Sequence, residues 1–179
     1  MNCIECEMLR QRKNLIYEDE YSAAFLYDKP AAAGHIVVFP KQHHPIIENI
    51  PDDIMSSLFL AVNKISMTCF DVFKAHGTNI LIRNGLAAGQ KTTHAAIHII
   101  PRFENDGLNL QWTPLKFTDD EMTTAELSLK AEIEKETSEH YKIQAQTEKE
   151  EIAKQERLQP KEEIPEEENY MLKQLDRMP

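Results

Sequence analysis

Three groups of side chains in this 179-residue chain have the types and spacing of chemical sites. The first lies in Thr92-Thr-His-Ala-Ala-Ile-His-Ile-Ile-Pro-Arg102, where His94 and His98 flank Ala96 at alternate positions. In a strand, side chains two apart share a face, so the pattern predicts His94, Ala96, His98 and Ile100 on one face and Ala95, Ile97 and Ile99 on the other. A histidine in place of Ala96 would complete a row of three imidazoles spaced about 6.5 Å apart. The second group is Cys3-Ile-Glu-Cys6, whose spacing lets two thiolates turn onto one ion. Alone it is open between a redox pair, half of a zinc site and incidental cysteines. The third is His43-His44, in the loop after Pro40-Lys41-Gln42.

The elements that must position these groups can be read from hydrophobic periodicity. Residues 15–18 and 23–27 read as strands joined by the acidic turn Asp19-Glu20, and residues 35–39 as an apolar strand stopped by Pro40. From 51 to 75, Ile54, Leu58, Val62, Ile65, Cys69 and Val72 recur at helical spacing; Asp52 is placed to cap this helix and Gly77 to end it. Residues 78–83 form a strand, a polar glycine-punctuated loop spans 83–90, and the histidine strand follows, preceded by a short polar lead at 1–13. Five strands with one long helix between the third and fourth predict an α+β fold with a five-stranded antiparallel sheet.

After a polar loop ending at Trp112, the composition turns to Glu, Lys, Gln and Ala, with Met122, Ala125, Leu129 and Ile133 at 3-4-4 spacing. This predicts a helix over residues 119–158, about 60 Å long, whose apolar stripe thins after Ile143 and is too weak for a coiled coil. Pro160 and Pro165 would break it, and 166–178 would form a last short helix. Two parts are therefore expected: a domain at 1–118 and a charged helical extension at 119–179.

Charge separates the same two parts. Residues 1–118 hold 12 acidic and 11 basic side chains and residues 119–179 hold 18 and 9, so almost all of the net charge of −10 belongs to the tail. An acidic tail repels nucleic acid, which argues against a polymeric DNA or RNA substrate and leaves the tail as a surface for a protein partner. The polar start and the lack of a 20-residue apolar run predict a cytoplasmic protein without a membrane span. An odd count of three cysteines argues against a disulfide framework, and Cys69 fits the helix core.

Gly89-Gln90 followed by His94, the 96 position and His98, each separated by apolar residues and closed by Pro101-Arg102, resembles the signature of the histidine-triad (HIT) family of nucleotide hydrolases and transferases. The resemblance runs over roughly residues 3–114. It implies that Ala96 stands at the position of the nucleophilic histidine, that His98 is the third histidine, and that a purine nucleotide or nucleotidyl substrate occupies the site. Arg83, Asn84, Gln90 and Lys91 would surround the phosphate, and Tyr27 with Asp28 would lie at the ribose. The zinc-bearing branch of the family further implies Cys3, Cys6, His43 and His94 as ligands of a structural zinc, with His44 the fallback for His43. His35 matches a common residue to which a structural role is assigned. A homodimer with a continuous ten-stranded sheet is also implied, with the segment around Trp112 reaching toward the partner's site.

In such a family a histidine nitrogen attacks the α-phosphorus, and water then hydrolyses the nucleotidyl-histidine. Imidazole is suited to this because it is nucleophilic near neutral pH without prior deprotonation. Ala96 removes that nitrogen. The favoured account is a deliberate replacement of a catalytic histidine, so that the parent enzyme hydrolyses a nucleotidyl phosphoanhydride or phosphoramidate while this chain is inactive. The alternative is a natural, non-catalytic nucleotide-binding or interaction module. A helical His-x-x-x-His metal pair is set aside because the β-branched residues before Pro101 favour a strand.

Overall fold

The computed structural model describes residues 3–158. The chain separates into two compact units, Met1–Gln111 and Trp112–Pro179. In the first, α1 (Ile4–Gln11) leads into β1 (Leu15–Glu18), β2 (Ser22–Leu26) and β3 (Ile36–Pro40); α2 (Asp52–Phe73) follows, then β4 (Gly77–Ile82) and β5 (Ile97–Arg102). The strands form one antiparallel sheet in the order β1-β2-β3-β5-β4. This is the expected α+β architecture, with the long helix between the third and fourth strands.

The alternation of β3 and β5 divides the core between two faces. Ile36, Val38, Ala95, Ile97 and Ile99 join Leu58, Val62, Ile65 and Cys69 of α2 in one apolar cluster. On the opposite face Val37 and Phe39 pack with Ala23 and Phe25, and Ala96 lies against this second cluster. Each fully buried Leu, Val or Ile stabilises the fold by about 1.5–3 kcal/mol, so α2 is held chiefly by its Leu58-Val62-Ile65-Cys69 stripe. Val72 does not extend that stripe; it is 64% exposed.

Three local features differ from the sequence reading. The lead at 1–13 contains a helix, α1, whose N-cap is Cys3. Pro51, not Asp52, occupies the N-cap of α2, and the helix ends at Lys74 in the left-handed conformation, before Gly77 opens β4. The histidine strand begins at Ile97, so His94, in a bend, and Ala96 precede it outside the strand. The reason is local bonding: the Ala95 amide donates to the His44 carbonyl at 2.7 Å, and the Gln90 amide bonds the Pro45 and Thr92 carbonyls, so this stretch pairs with the loop after β3.

Gly34 precedes β3 with φ of 77°, and a Cβ there would lie 2.6 Å from the Phe73 ring at the end of α2. Only glycine combines that backbone with that approach.

In the second unit, α3 (Asp119–Leu158) spans the predicted 40 residues. Thr118 and Glu121 form a reciprocal cap, the Thr118 amide donating to the glutamate at 2.7 Å and the Glu121 amide to the threonine hydroxyl at 3.3 Å. Leu127, Leu129 and Ile133 are about as exposed as their charged neighbours. The breaks at Pro160 and Pro165 and the last short helix lie outside the described residues. Among those described, no helix is long and apolar enough to cross a membrane.

Candidate functional site

The first helix, the loop after β3 and the stretch before β5 meet at Cys3, Cys6, His43 and His94, whose ligand atoms all lie within 4.8 Å of one another. His94 Nδ1 is 3.4 Å from Cys3 Sγ and 3.6 Å from Cys6 Sγ, and His43 Nδ1 is 3.5 Å from Cys6 Sγ. Zinc bonds of about 2.3 Å to sulfur and 2.0 Å to nitrogen at tetrahedral angles require sulfur–nitrogen edges of about 3.5 Å. These three edges match that length, and the donor set is compatible with a zinc ion. His94 Nε2 lies 2.9 Å from the Pro40 carbonyl, which can only accept, so the ring proton sits on Nε2 and Nδ1 keeps its lone pair for the ion. Burial lowers the His94 pKa, keeping the ring neutral, and burial pushes the Cys3 thiol up to about 11.

His44 takes a different place. Its ring is buried, 7% exposed, and Nε2 has no partner among the described residues, while its carbonyl serves Ala95. The ring outside the four-donor cluster is thus His44, and the ring inside it is His43.

Next to these donors, Tyr27, Arg83, Gln90, Lys91, Ala96 and His98 line one cleft. Ala96 lines this cleft together with His94 and His98, so the three positions expected to share a face do so although the strand starts later. His98 stands on β5 between Val37 and Leu81 and is 9% exposed. Its Nδ1 lies 3.1 Å from His35 Nε2, and the Tyr27 ring packs edge-on at 5.2 Å from it. Burial first, then the charges of His35 and Arg83, lower the His98 pKa to about 4. His35 is lowered too, by burial and then Arg83. Both rings are neutral near pH 7.

The other expected contacts are distributed. The Gln90 side chain accepts from the Gly85 amide at 2.7 Å and donates to Pro45 and Thr92 carbonyls, so it shapes the loop with its whole amide. Asn84 accepts from the Ile47 amide at 3.2 Å and donates to Glu48. Asp28 lies away from the cleft, accepting from Asn14 at 3.4 Å. Arg83 and Lys91 are the cations that line the cleft.

One cleft residue escaped the sequence reading, and one neighbour of His98 was underread. Glu5, between the two cysteines, is 6% exposed and lines the cleft; its Oε1 accepts from Thr92 Oγ1 at 2.7 Å. The glutamate inside the Cys-x-x-Cys spacing was the available sign, but without α1 nothing indicated its direction. His35 was read as structural, and only the sheet shows that it touches His98.

A HIT domain model matches residues 9–105, more than half of the chain. An uncharacterized HIT-like protein of Methanocaldococcus jannaschii is 34% identical over 119 residues, covering 65% of this chain and 92% of its own length. The adenosine 5'-monophosphoramidase of Saccharomyces cerevisiae is 32% identical over 120 residues, covering 65% and 73%. Among solved structures, a HIT family member from Bacillus subtilis superposes with a TM-score of 0.68 at 32% identity, covering 73% of this chain and 96% of that one. A zinc-bound histidine triad protein from Mycobacterium smegmatis gives 0.57 at 29% identity, covering 64% and 85%. With its sheet order, its paired His94 and His98 and these relatives in agreement, the chain belongs to the HIT family.

Proposed function

We propose that this chain binds a purine nucleotide in the cleft above His98 and does not cleave it, and that its counterpart with histidine at position 96 is a nucleotidyl hydrolase. The observation that carries the reading is the methyl of Ala96 in the cleft beside a neutral, buried His98. The similarity to an adenosine 5'-monophosphoramidase supports nucleotide hydrolysis as the chemistry. The bond split would be a phosphoanhydride or phosphoramidate at the α-phosphorus, by way of a nucleotidyl-histidine.

In that reaction Arg83 and Lys91 offset phosphate charge, His98 donates to a phosphate or leaving-group oxygen, and Gln90 and Asn84 hold the loop that presents them. Tyr27 closes the wall behind His98 at the ribose side. Zinc on Cys3, Cys6, His43 and His94 is structural in this reading: it clamps α1 to the loop that carries Ala96 and takes no part in bond cleavage. The similarity to a zinc-bound relative supports that assignment. The intact surroundings of Ala96 favour a replacement of the nucleophile over gradual decay of a binding module. The protein is read as a cytoplasmic homodimer, with the acidic tail at 119–179 free to meet a protein partner.

Restoring the nucleophile tests this directly. Ala96→His is expected to hydrolyse at least one member of a panel of adenylate and guanylate anhydrides and amidates and to yield a nucleotidyl-histidine trapped by denaturation at alkaline pH, while the unaltered chain binds the nucleotide without turnover. Loss of a covalent nucleophile costs orders of magnitude in rate, so the difference will be large. Tight nucleotide binding with no turnover by Ala96→His across the panel would replace the enzyme reading with that of a binding module.

A further inference from the structure

The flank of α2 that faces β1 and β2 holds an apolar groove of about 300 Å³. Ile36, Ile65 and Cys69 are its buried floor, while Ile16, Leu26, Val72 and Phe73 line it and stay exposed. Large apolar side chains that converge on one exposed surface mark a binding site rather than ordinary surface. The groove is remote from the histidine cleft, because α2 covers the sheet face of Ile36 and Ile97 whereas Ala96 packs on the face of Val37 and Phe39. Ser66 of α2 bonds Thr78 of β4 at 2.9 Å, and β1 and β4 are opposite edges of the sheet, so pairing of two chains through β4 would leave the groove open.

The fold fixes both ends of the groove. The register of β1 shifts between Leu15 and Tyr17. In a regular strand these two side chains would share a face, yet Leu15 packs in the Phe25 cluster and Tyr17 in the Val62 cluster. The bulge thus turns Tyr17 toward α2, where its hydroxyl donates to Asp19 at 2.9 Å. At the other end the Phe73 ring is seated on Gly34.

Polarity is confined to the Tyr17 end. Lys64 is the charged residue of the lining, with its Nζ 5.5 Å from the centre of the Tyr17 ring, and it forms none of the ion pairs among the described residues. The Thr68 hydroxyl is committed to the Lys64 carbonyl at 2.9 Å, which leaves the ammonium as the donor for a ligand. Phe73 lies nine residues, about 13 Å, along α2 from Lys64.

We propose that this groove binds a linear medium-chain acyl carboxylate, with the carboxylate on Lys64 and the chain running along α2 to Phe73. One lysine matches a single negative charge, whereas a phosphate dianion would be half neutralised there. A zigzag chain advances about 1.3 Å per bond, so about ten carbons fill the length. The site is independent of the nucleotide reading and stands or falls without it.

The test is methyl-resolved NMR titration of the full chain with octanoate, decanoate and 1-octanol, each below its aggregation limit. Saturable shifts are expected at Ile16, Leu26, Ile36 and Val72, with decanoate about tenfold tighter than octanoate for its two further buried methylenes. Lys64→Gln is expected to weaken decanoate about threefold, the size of an exposed charge pair, and to leave 1-octanol unchanged. Val72→Asp, at an exposed position, is expected to abolish the shifts in a folded chain. Absence of decanoate binding, equal affinity for the two acids, or shifts spread to Leu60 and Met67 elsewhere on α2 would overturn the site. Decanoate affinity that survives Lys64→Gln would overturn the carboxylate assignment. A fall in light-scattering mass on Val72→Asp would give the groove to a second copy of the chain and overturn the ligand altogether.

Discussion

His35 fixes the tautomer of His98. The Ala31 amide donates to His35 Nδ1 at 3.0 Å, so the proton of that neutral ring is on Nε2, and Nε2 donates to His98 Nδ1 at 3.1 Å. His98 must then carry its own proton on Nε2. A backbone amide, acting through the His35 ring, thus decides that His98 is a hydrogen-bond donor at Nε2.

This relay predicts that nitrogen-15 spectra at pH 7 will show His98 as the pure Nε2–H tautomer, and that His35→Ala will give a mixture. In the Ala96→His background the same change should lower kcat by about tenfold or more, as expected when a proton donor loses its orientation, with KM altered little. An unchanged tautomer in His35→Ala would dissociate the two rings.

The metal centre predicts about one zinc per chain in protein purified without added metal, as four ligands in a closed site require. His43→Ala should lose most of that zinc and His44→Ala should keep it, since the His44 ring lies outside the donor cluster. Cys3→Ser with Cys6→Ser should remove the metal and lower Tm, because ligand binding to the fold is part of folding free energy. Retained zinc in the double cysteine variant would eliminate the centre.

Acid sensitivity follows from the same buried ring. His98 is held at about 4, below its ordinary 6.5. As pH falls from 6.5 toward 4 the unfolded chain takes up this proton before the folded one, so the contribution of the neutral ring is complete above about 6.5 and disappears across that window. Thermal unfolding from pH 7.5 to 4.5 should therefore show a falling Tm, and His98→Gln should flatten that fall. Parallel profiles for the two proteins would remove His98 as a cause.

Assembly gives a fourth outcome. The sheet ends on β4, an edge strand in which Ile80 is 49% exposed, and an uncovered edge is a ready pairing surface. Light scattering at micromolar concentration is expected to give the mass of a dimer. Truncation after Phe117 should leave nucleotide affinity within a few-fold; a monomer, or a collapse of binding on truncation, would contradict the corresponding half of this picture.

Periodicity carried the sequence reading wherever side chains alternate against a continuous core. The α2 stripe, the five strands and the full length of α3 were legible on that basis. It failed where backbone groups pair outside a ladder: Thr92 to Ala96 look like strand, yet Gln90 and His44 claim their polar groups. At the site, the resemblance to the histidine-triad family implied Cys3, Cys6, His43 and His94, which the structure brings within 4.8 Å of one another, and the alternation of His94, Ala96 and His98 pointed to one shared face. They were silent on how much of a side chain was already engaged, so Gln90 and Asn84 looked free for phosphate while their amides hold the loop. Glu5 shows the converse, since only the direction of α1 brings it to the cleft.

Position 34 carries a constraint that belongs to sequence drift. Because the Phe73 ring occupies the space a Cβ would need, and the backbone is left-handed there, any single-base change at Gly34 that introduces a side chain must also displace that ring. Shrinking Phe73 first would relieve the contact and still leave the unfavourable backbone. Two compensations are needed at once, so along any lineage of this chain the glycine should outlast even the cleft residues around Ala96, whose exchange for histidine disturbs no backbone.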